Sequence, residues 1–390
     1  MLIIMKIVFW ILYIIIIYIY IGYPLLLVLI ASIKKGKFIQ KEEIFPRVSL
    51  IIAAYNEEKI INERIENILS LNYPKEKLEV IFISDSSYDR TDKIICGYKE
   101  KGIILIRQPR RMGKMVALNS GVSKSTGEIL IFSDADIFFK EDDIEKLVSN
   151  FADSHVGCVV GTKKILCDEE HLTITEGIYW KFELFLKKLE GEIGSVAAGA
   201  SGCNFAMRKA LYLPLEEKTT AEDLVLPLIC ISQGYRAVFE PEAVSYEKLL
   251  PCFKDEFKRK IRIVMGGLHA LSLVKNKFHL IDKITLLELF SHKILRWYGS
   301  FFLLGLFILN FLLQESFYKY FLYLQVIFYS LTILGFICLV MKIKLGSLLG
   351  KILNIPFYFI AMNLAAFIGV LKYSFGMHRG WDSYKKISQS

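Results

Sequence analysis

A long apolar run at the amino terminus restricts the possible folds of this chain more than any other feature of its sequence. Residues 7–33 are apolar apart from tyrosines, one Gly, one Pro and one Ser. As a helix they exceed the roughly 30 Å hydrocarbon core of a bilayer. A signal peptide would have an apolar core of only about 7 to 15 residues and a small-residue cleavage site. We therefore expect residues 1–35 to form a transmembrane helix.

Three further apolar stretches occur late in the chain, at residues 297–313, 318–341 and 353–371. Each is long enough to span a membrane, the first only just. We therefore expect three transmembrane segments within residues 296–372 and a basic tail at 373–390. The chain is 54% hydrophobic, too much for an ordinary soluble domain, and its charges are concentrated between the two apolar blocks.

Basic residues beside the apolar runs predict how the chain is oriented. Lys34, Lys35 and Lys37 follow the first run, and the positive-inside rule then places the charge-rich part on the cytoplasmic side of the cell membrane. One helix before that part and three after it would leave the basic tail outside, where the same rule disfavours it. Either one late segment is re-entrant or the rule is overridden, and the sequence leaves both open.

Apolar strands alternate with amphipathic helices in the charge-rich part. Four stretches have the pattern of buried strands: RVSLIIAA, LEVIFIS, GIILIR and GEILIFSDADIFF. This alternation predicts an α/β fold with a largely parallel sheet and helices on both faces. Ligands of such sheets bind at the carboxyl ends of the strands. Tyr55-Asn56-Glu57, Asp85 and Asp134-Ala135-Asp136 all follow strands in this way and predict one site.

Asp134 and Asp136 are the candidate metal ligands. Two carboxylates separated by one residue can hold a hard divalent cation while the cation bridges a diphosphate. The competing interpretation is that one of them caps the next turn and the helix predicted at EDDIEKL. The sequence has no dinucleotide fingerprint and no G-x-x-x-x-G-K-[ST] loop, so oxidoreductase and P-loop functions are disfavoured.

The net charge of +9 in a membrane protein favours anionic headgroups and phosphate-bearing substrates as partners. Nucleic acid is disfavoured, because there is no zinc-finger spacing, arginine-rich tract or aromatic RNA-binding signature. The seven cysteines are scattered without a C-x-x-C pair, which fits a reducing cytoplasm better than a disulfide framework.

Taken in order, seven motifs resemble the membrane-embedded members of glycosyltransferase family 2, the group with the cellulose, hyaluronan and poly-N-acetylglucosamine synthases. They lie within about residues 47–270 and are AAYNEE, VIFISDSSYDRT, RRMGKMVALNSG, FSDADIFF, SGCNFAMRKAL, TTAEDLVLPL and KRKIRIVMGG. The resemblance implies a GT-A-type, Rossmann-like nucleotide-sugar domain with a mixed, mainly parallel sheet at residues 46–250. Amphipathic interface helices are expected at 251–295.

The resemblance also implies a nucleotide-sugar site. Its members are Tyr55, Asn56, Glu57, Asp85, Lys114, Asp134, Arg259 and Arg262. Within it, Asp85 would contact the base or ribose, and Lys114 the nucleobase or phosphates. Asp134 and Asp136 would bind the diphosphate with its Mg²⁺ or Mn²⁺. From the residues alone, Asn56 as a helix cap and Lys114 as a solvated charge stay open.

The motif TTAEDLVLPL is the candidate for the catalytic base. An acceptor hydroxyl must lose its proton as it attacks the anomeric carbon, and a positioned carboxylate can accept that proton. The resemblance assigns this role to Asp223, with Glu222 as its neighbour. The same acids favour a helix N-terminus, and both interpretations can hold at once.

The motif KRKIRIVMGG stands where the family has Q-x-x-R-W. Arg259 and Arg262 share a helix face at this spacing, and a guanidinium there can neutralise a departing diphosphate. The sequence departs from the pattern, with Arg259 at the Gln position and Ile263 at the Trp position, so an aromatic platform for a growing polysaccharide is in doubt. The alternative is a basic amphipathic helix on anionic lipid.

The resemblance places the acceptor beside Gly202 and Cys203. Together with the apolar segments, the resemblance implies a multi-pass, metal-dependent, inverting glycosyltransferase of the cell membrane with a cytoplasmic catalytic domain. It would use a nucleotide sugar, with a UDP-sugar as the favoured donor, and a lipid-linked or polysaccharide acceptor. The alternatives are a polyprenyl-phosphate sugar transferase, a glycolipid synthase, or a non-catalytic nucleotide-sugar-binding component of an export complex.

Overall fold

An eight-stranded mixed sheet forms the centre of the protein. The computed structural model describes residues 1–33, 39–165, 170–196, 199, 204–247, 253–341, 343 and 347–377. The strands are β1 Val48–Ala54, β2 Leu78–Ser84, β3 Ile103–Arg107, β4 Ile129–Asp134, β5 Ile137–Phe139, β6 Val156–Ile165, β7 Phe205–Arg208 and β8 Arg236–Glu247. Their order across the sheet is β3-β2-β1-β4-β7-β6-β8-β5.

The first four strands of that order are parallel, which follows from the helical connections between them. β7 is antiparallel to both β4 and β6, β6 is parallel to β8, and β5 is antiparallel to β8. The sheet is therefore mixed and mostly parallel, as expected. The predicted fourth strand is in fact two: the chain leaves β4 at Asp134 and resumes as β5 at the far edge of the sheet.

Helices cover both faces of the sheet. Those of the domain are α3 Ile61–Leu69, α4 Thr91–Cys96, α5 Lys114–Lys124, α6 Asp143–Ser149, α7 Glu170–Ile193, α8 Glu222–Ser232 and α9 Phe253–Val274. Every residue of β1 is buried, because alternate side chains enter two separate hydrophobic cores. Leu50 packs in the core on the α3 side, whereas Ile51 packs in the core that contains α5 and α8.

Long apolar helices lie at both ends of the chain. At the amino end, α1 Leu2–Ile17 and α2 Tyr23–Ile33 are joined by one π-helical segment into a candidate span, Leu2–Ile33. At the carboxyl end the helices are α10 Lys283–Leu289, α11 Leu295–Trp297, α12 Gly299–Leu312, α13 Ser316–Val340 and α14 Ser347–Ser374. Ser316–Val340 and Leu348–Ser374 are the candidate spans there, by length and composition.

The first of the three expected late segments differs from the others. Gly299–Leu312 follows Lys283–Trp297 with a bend of 56°, so the pair is either one broken span or a re-entrant loop. Among the described residues, the structure thus contains three helices that could cross a membrane, or four if the bent pair counts as one. Lys34, Lys35, Lys37 and the part of the tail after residue 377 lie outside the described residues.

Candidate functional site

The carboxyl ends of β1, β2 and β4 form the edge at which the predicted site lies. In the sheet register Ala54 is opposite Ser84, and Ala53 is opposite Asp134. The residues that follow β1 and β2 therefore emerge beside Asp134. α3 begins at Ile61 and α6 at Asp143 with Asp142 before it, so Asn56, Asp134 and Asp136 are not helix caps, and those alternative interpretations were wrong.

Hydrogen bonds join the loops after β1 and β2. The Asn56 N–H donates to Ser87 Oγ at 3.1 Å, and the Tyr88 N–H donates back to Asn56 Oδ1 at 3.1 Å. The Glu57 N–H donates to Thr91 Oγ1 at 2.8 Å. Glu57 and Asn56 therefore reach the edge in fixed positions, and Ser87 is a member of the site that the sequence analysis missed.

The two loops also share an uncommon backbone conformation. Among the described non-glycine residues, only Asn56 (φ 54°) and Ser86 (φ 60°) have positive φ. Asn tolerates the left-handed region, whereas Ser is strained in it. Backbone strain of this kind concentrates where a loop must present groups to a ligand. The pattern marks this edge independently of the side chains.

Ser86→Gly is expected to stabilise the protein by about 0.5 to 1 kcal/mol, because glycine removes the steric cost of positive φ at a smaller cost in unfolded-chain entropy. Thermal unfolding of the purified protein measures this as a rise in Tm. Ser123→Gly, at the exposed position one residue before the end of α5, is the matched control and should lower Tm. A fall in Tm for both variants would show that Ser86 is unstrained.

Asp85 is fully buried. Its carboxylate oxygens accept hydrogen bonds from the Met112 N–H at 2.8 Å and the Gly113 N–H at 2.9 Å. In this structure the side chain holds the loop that precedes Lys114, which begins α5. Its contact with a base or ribose stays a prediction.

Aromatic and guanidinium groups lie next to this loop. The Arg111 guanidinium carbon stands 3.8 Å from the centre of the Tyr55 ring, a cation–π arrangement. The Tyr88 ring meets Tyr55 edge-to-face at 6.0 Å and is 77% exposed. Arg111 and Tyr88 were missed from sequence, although an arginine pair before Gly-Lys and an exposed tyrosine after β2 are visible signals.

Lys114 connects two parts of the predicted site. Its Nζ lies 2.6 Å from Asp134 Oδ1 and also pairs with Glu222 Oε1. The Lys114 and Glu222 side chains are largely buried, with relative exposures of 14% and 8%. Lys114 is therefore no solvated loop charge. It brings Asp134, at the end of β4, next to Glu222, the first residue of α8, although the two acids are far apart in the sequence.

Asp136 lies among other carboxylates. Burial and the negative charges of Asp134, Glu247 and Glu57 raise its pKa to about 7, against the opposing effect of Lys163. The carboxylate oxygens of these acids are hard metal ligands, and a divalent cation stabilises carboxylates that lie this close together. No group of three or more metal-binding side chains occurs in the part of the chain that is described.

The residues present therefore fit Mg²⁺ or Mn²⁺ of the kind that a protein holds through one or two carboxylates, with phosphates and water completing the coordination. Asp134 and Asp136 would hold it. Glu247 and Lys163, which pair at 2.8 Å, border the same position. They were missed from sequence because β6 and β8 were not recognised as strands.

Arg259 and Arg262 have different surroundings. Arg259 pairs with Glu256 at 2.7 Å and Glu247 at 3.5 Å; burial opposes its charge, but these two acids outweigh burial and raise the pKa of Arg259. Arg262 is partly exposed and has no hydrogen bond or ion pair with any described residue. The contact of Arg262 with a phosphate stays a prediction. Ile263, at the Trp position of the family motif, is 44% exposed.

Asp223 is the second residue of α8 and is partly exposed. The partial positive charge of a helix N-terminus favours its ionised form. Gly199 has φ +75°, and a Cβ there would lie 2.6 Å from the Asp223 carbonyl oxygen, so glycine permits the close approach of these segments. Gly202 and Cys203 lie outside the described residues.

α9 packs tightly against the segment before Asp223. A Cβ on Gly266 would lie 2.3 Å from Thr220 Oγ1, and one on Gly267 would lie 2.4 Å from the Trp297 ring. The two glycines therefore let α9 contact both Thr220, which lies just before α8, and Trp297 in α11. The motif KRKIRIVMGG supplies Arg262 and this packing together.

Gly266→Ala is expected to destabilise the protein by about 1 to 3 kcal/mol through overpacking and to reduce activity by moving Thr220. Thermal unfolding and activity of the same preparation measure both effects. Gly194→Ala is the control, because a Cβ there meets nothing within 4 Å. Adding Thr220→Ala should restore part of the loss; an unchanged loss would place its cause elsewhere.

Comparisons with known proteins show what this chain resembles. Residues 49–213 match the family model for glycosyl transferase family 2. The chain is 30% identical over 257 residues to "Probable glycosyltransferase YdaM" of Bacillus subtilis (strain 168), covering 63% of this chain and 61% of that protein. It is 25% identical over 229 residues to poly-β-1,6-N-acetyl-D-glucosamine synthase of Staphylococcus aureus (strain COL), covering 57% and 55%.

The chain thus matches less than two thirds of the length of these relatives. Among solved structures, the mannosyltransferase PcManGT of Pyrobaculum calidifontis, in complex with GDP-Man and Mn²⁺, is similar with a TM-score of 0.69. The alignment covers 96% of this chain and 99% of that one at 20% identity, so it shows a shared fold. From the matched model and the ordered motifs, this chain carries a glycosyl transferase family 2 domain at residues 49–213.

Proposed function

We propose that this protein is a membrane-bound glycosyltransferase. It moves a sugar from a nucleotide sugar to a lipid-linked or polysaccharide acceptor and inverts the configuration at the anomeric carbon. A UDP-sugar is the favoured donor. The observation that carries this proposal is the double ion pair of Lys114 with Asp134 and Glu222. Because of it, the residues proposed for the diphosphate lie beside the residue proposed as base. The polysaccharide synthase among the relatives supports a saccharide acceptor.

Each group in the site has a separate task in this transfer. Asp223 accepts the proton of the acceptor hydroxyl as its oxygen attacks the anomeric carbon. Lys114 and Arg262 place positive charge where the nucleoside diphosphate leaves. A divalent cation held by Asp134 and Asp136 would supply further charge neutralisation there. Tyr55 and Asn56 hold the nucleoside at the carboxyl edge of β1.

The membrane arrangement is part of the proposal. The catalytic domain is cytoplasmic, and Leu2–Ile33, Ser316–Val340 and Leu348–Ser374 cross the membrane. If Gly299–Leu312 is re-entrant, two crossings follow the domain and the basic tail returns to the cytoplasmic side. The 56° bend before this helix favours that arrangement, which satisfies the positive-inside rule at both ends.

The length of the product distinguishes the alternatives. An exposed Ile263 in place of an aromatic platform favours a short product, and one sugar per acceptor would assign a polyprenyl-phosphate sugar transferase or glycolipid synthase. Long chains would assign a polysaccharide synthase. Nucleotide-sugar binding without transfer would assign the non-catalytic role in an export complex.

Nucleoside diphosphate release tests the proposal. Native membranes containing the full chain are supplied with a panel of UDP- and GDP-sugars, and release is compared with membranes that lack the protein. Release with at least one donor, removed by a chelator and restored by Mn²⁺ or Mg²⁺, is expected. No release with any donor, or release that a chelator leaves unchanged, contradicts the proposal or its metal requirement.

A further inference from the structure

The two candidate metal ligands lie on a turn between strands that pair with different partners. Asp134 ends β4, Ala135 and Asp136 follow, and β5 begins at Ile137; we call residues 134–136 the carboxylate turn. A hairpin turn is held by the pairing of its own two strands. Here β4 pairs with β1 and β7, whereas β5 pairs with β8. The position of the carboxylate turn is therefore set by contacts of another kind.

The Arg64 side chain on α3 contacts the chain on both sides of this turn. Its Nη2 donates to Ser133 Oγ at 3.0 Å, and Ser133 Oγ donates to the Asp134 carbonyl oxygen at 3.2 Å. The same guanidinium lies over the Phe139 ring, with 4.5 Å between Cζ and the ring centre. Ser133 directly precedes the turn and Phe139 follows it by three residues, so one side chain contacts both ends.

Asn67 adds hydrogen bonds from the next turn of α3. Its Nδ2 donates to the Phe139 carbonyl oxygen at 2.8 Å, and its Oδ1 accepts from the Phe139 N–H at 2.9 Å. Oδ1 also accepts from Arg64 Nη1 at 2.7 Å. Because residues three apart share a helix face, Arg64 and Asn67 together hold the strand that follows the carboxylate turn.

Packing alone does not explain an arginine at this position. Its neighbours on the same helix, Ile61, Ile65 and Ile68, are at most 1% exposed, and Arg64 is fully buried among them. An apolar residue would be easier to bury, since removing a charge from water is unfavourable and apolar side chains of similar volume often stabilise a protein equally well. The planar guanidinium instead offers several N–H donors in a fixed arrangement, which an apolar side chain lacks.

We propose that Arg64 is a positioning residue for the metal site, and that it acts by fixing the carboxylate turn through Ser133 and Phe139. The inference rests on the proposed role of Asp134 and Asp136 in holding a divalent cation. Arg64 has no acceptor atom and is not itself a ligand. Removing a group that orients metal ligands typically lowers metal affinity by about 10- to 100-fold.

The test is Arg64→Met, which removes the N–H donors and keeps much of the side-chain volume. Purified full-length protein is saturated with UDP or GDP, whichever the release assay assigns, and free Mn²⁺ is measured by electron paramagnetic resonance. The Mn²⁺ concentration at half-saturation should rise about tenfold or more over that of the parent. Nucleotide binding in the presence of a chelator should stay at the parental level.

Arg208→Met is the matched control for a purely structural loss. The Arg208 guanidinium also hydrogen-bonds the main chain, donating to the carbonyl oxygens of Phe151 and Val156 at 2.9 and 2.8 Å. It lies opposite Ile129 at the amino end of β4, away from the carboxylate turn. Both variants should lower Tm, but of the two only Arg64→Met should need more Mn²⁺.

A second pair of variants keeps the inference testable if Arg64→Met fails to fold. Ser133→Ala removes the hydroxyl between Arg64 and the Asp134 carbonyl oxygen and should raise the Mn²⁺ concentration at half-saturation several-fold. Ser125→Ala removes a buried hydroxyl that donates to the Val122 carbonyl oxygen at 2.8 Å and should leave that concentration unchanged. Adding Ser133→Ala to Arg64→Met should have little further effect, because both changes remove the same contact.

The outcomes separate this inference from the proposed function. If the parent binds no Mn²⁺ with the nucleotide, or Asp136→Asn binds it as the parent does, the proposed metal site is wrong and the inference falls with it. If Asp136→Asn loses Mn²⁺ binding but Arg64→Met matches Arg208→Met, the positioning role is wrong although the metal site stands. Equal half-saturation of Ser133→Ala and Ser125→Ala would overturn the same role. Loss of chelator-insensitive nucleotide binding in Arg64→Met would also overturn it, since the effect would then extend beyond the metal.

Discussion

Asp223→Asn is expected to reduce sugar transfer about a thousandfold while nucleotide-sugar binding is retained. The amide has nearly the shape of the carboxylate and leaves the start of α8 intact, but it cannot accept the acceptor proton. Asp223 is also the second residue of a helix, where an amide is well tolerated. The measurement is kcat in native membranes, together with the Kd of the donor for purified protein.

Glu217→Gln is the matched control, since it removes one carboxylate from an exposed position before the same helix. It should leave both kcat and Kd unchanged. Transfer by Asp223→Asn at the parent rate would show that another group takes the proton. Loss of donor binding together with activity would show instead that the residue supports the fold of the site.

Asp136→Asn is expected to lower activity about a hundredfold or more and to remove the dependence of donor binding on Mn²⁺. A carboxylate ligand contributes charge as well as an oxygen atom, and the amide supplies only the oxygen. Donor binding is titrated with Mn²⁺ and with a chelator in parent and variant. The parent should bind more tightly with the metal, and the variant should bind equally weakly in both conditions.

Asp142→Asn is the control for this change. Asp142 precedes α6 and pairs with Lys146 at 2.7 Å on the surface, so its loss should affect stability slightly and metal-dependent binding not at all. Full metal dependence in Asp136→Asn would remove this residue from the proposed metal site. The same dependence in a variant lacking both Asp134 and Asp136 would place the metal elsewhere.

The part of the sheet with helical connections was predictable from sequence. β1, β2 and β3 are continuous apolar runs followed by polar residues and an amphipathic helix, a pattern with a strong local signal. Their carboxyl ends could be placed at one edge because parallel strands share direction. The structure confirms the mixed, mostly parallel sheet that the family resemblance implied.

The other half of the sheet was not recognised. β6 and β8 end in charged residues such as Lys163 and Glu247, which are partly buried and pair with each other at 2.8 Å, so these ends give no apolar pattern. β5 follows β4 after two residues, yet it lies at the edge of the sheet opposite β3, with three strands between it and β4. Local hydrophobicity does not contain this information, because it depends on which strands pair.

The site was only partly predictable for the same reason, because it depends on contacts between residues that are distant in the sequence. The motifs identified Lys114 and Glu222 separately, but only the fold shows that they form an ion pair. The buried pairs of His292 with Glu183 and Glu190 were missed, since these residues lie in two distant helical segments that have no pattern in common. The 56° bend before Gly299 was not predicted either, because an apolar pattern gives the length of a helix but not its orientation relative to the next helix.

The stereochemistry of the product tests the central claim most directly. With an α-linked nucleotide sugar that the protein uses, the anomeric configuration of the first transferred sugar is read from its proton coupling by NMR. A single displacement with Asp223 as base predicts a β-linked product from the parent and none above background from Asp223→Asn. An α-linked product would contradict the account.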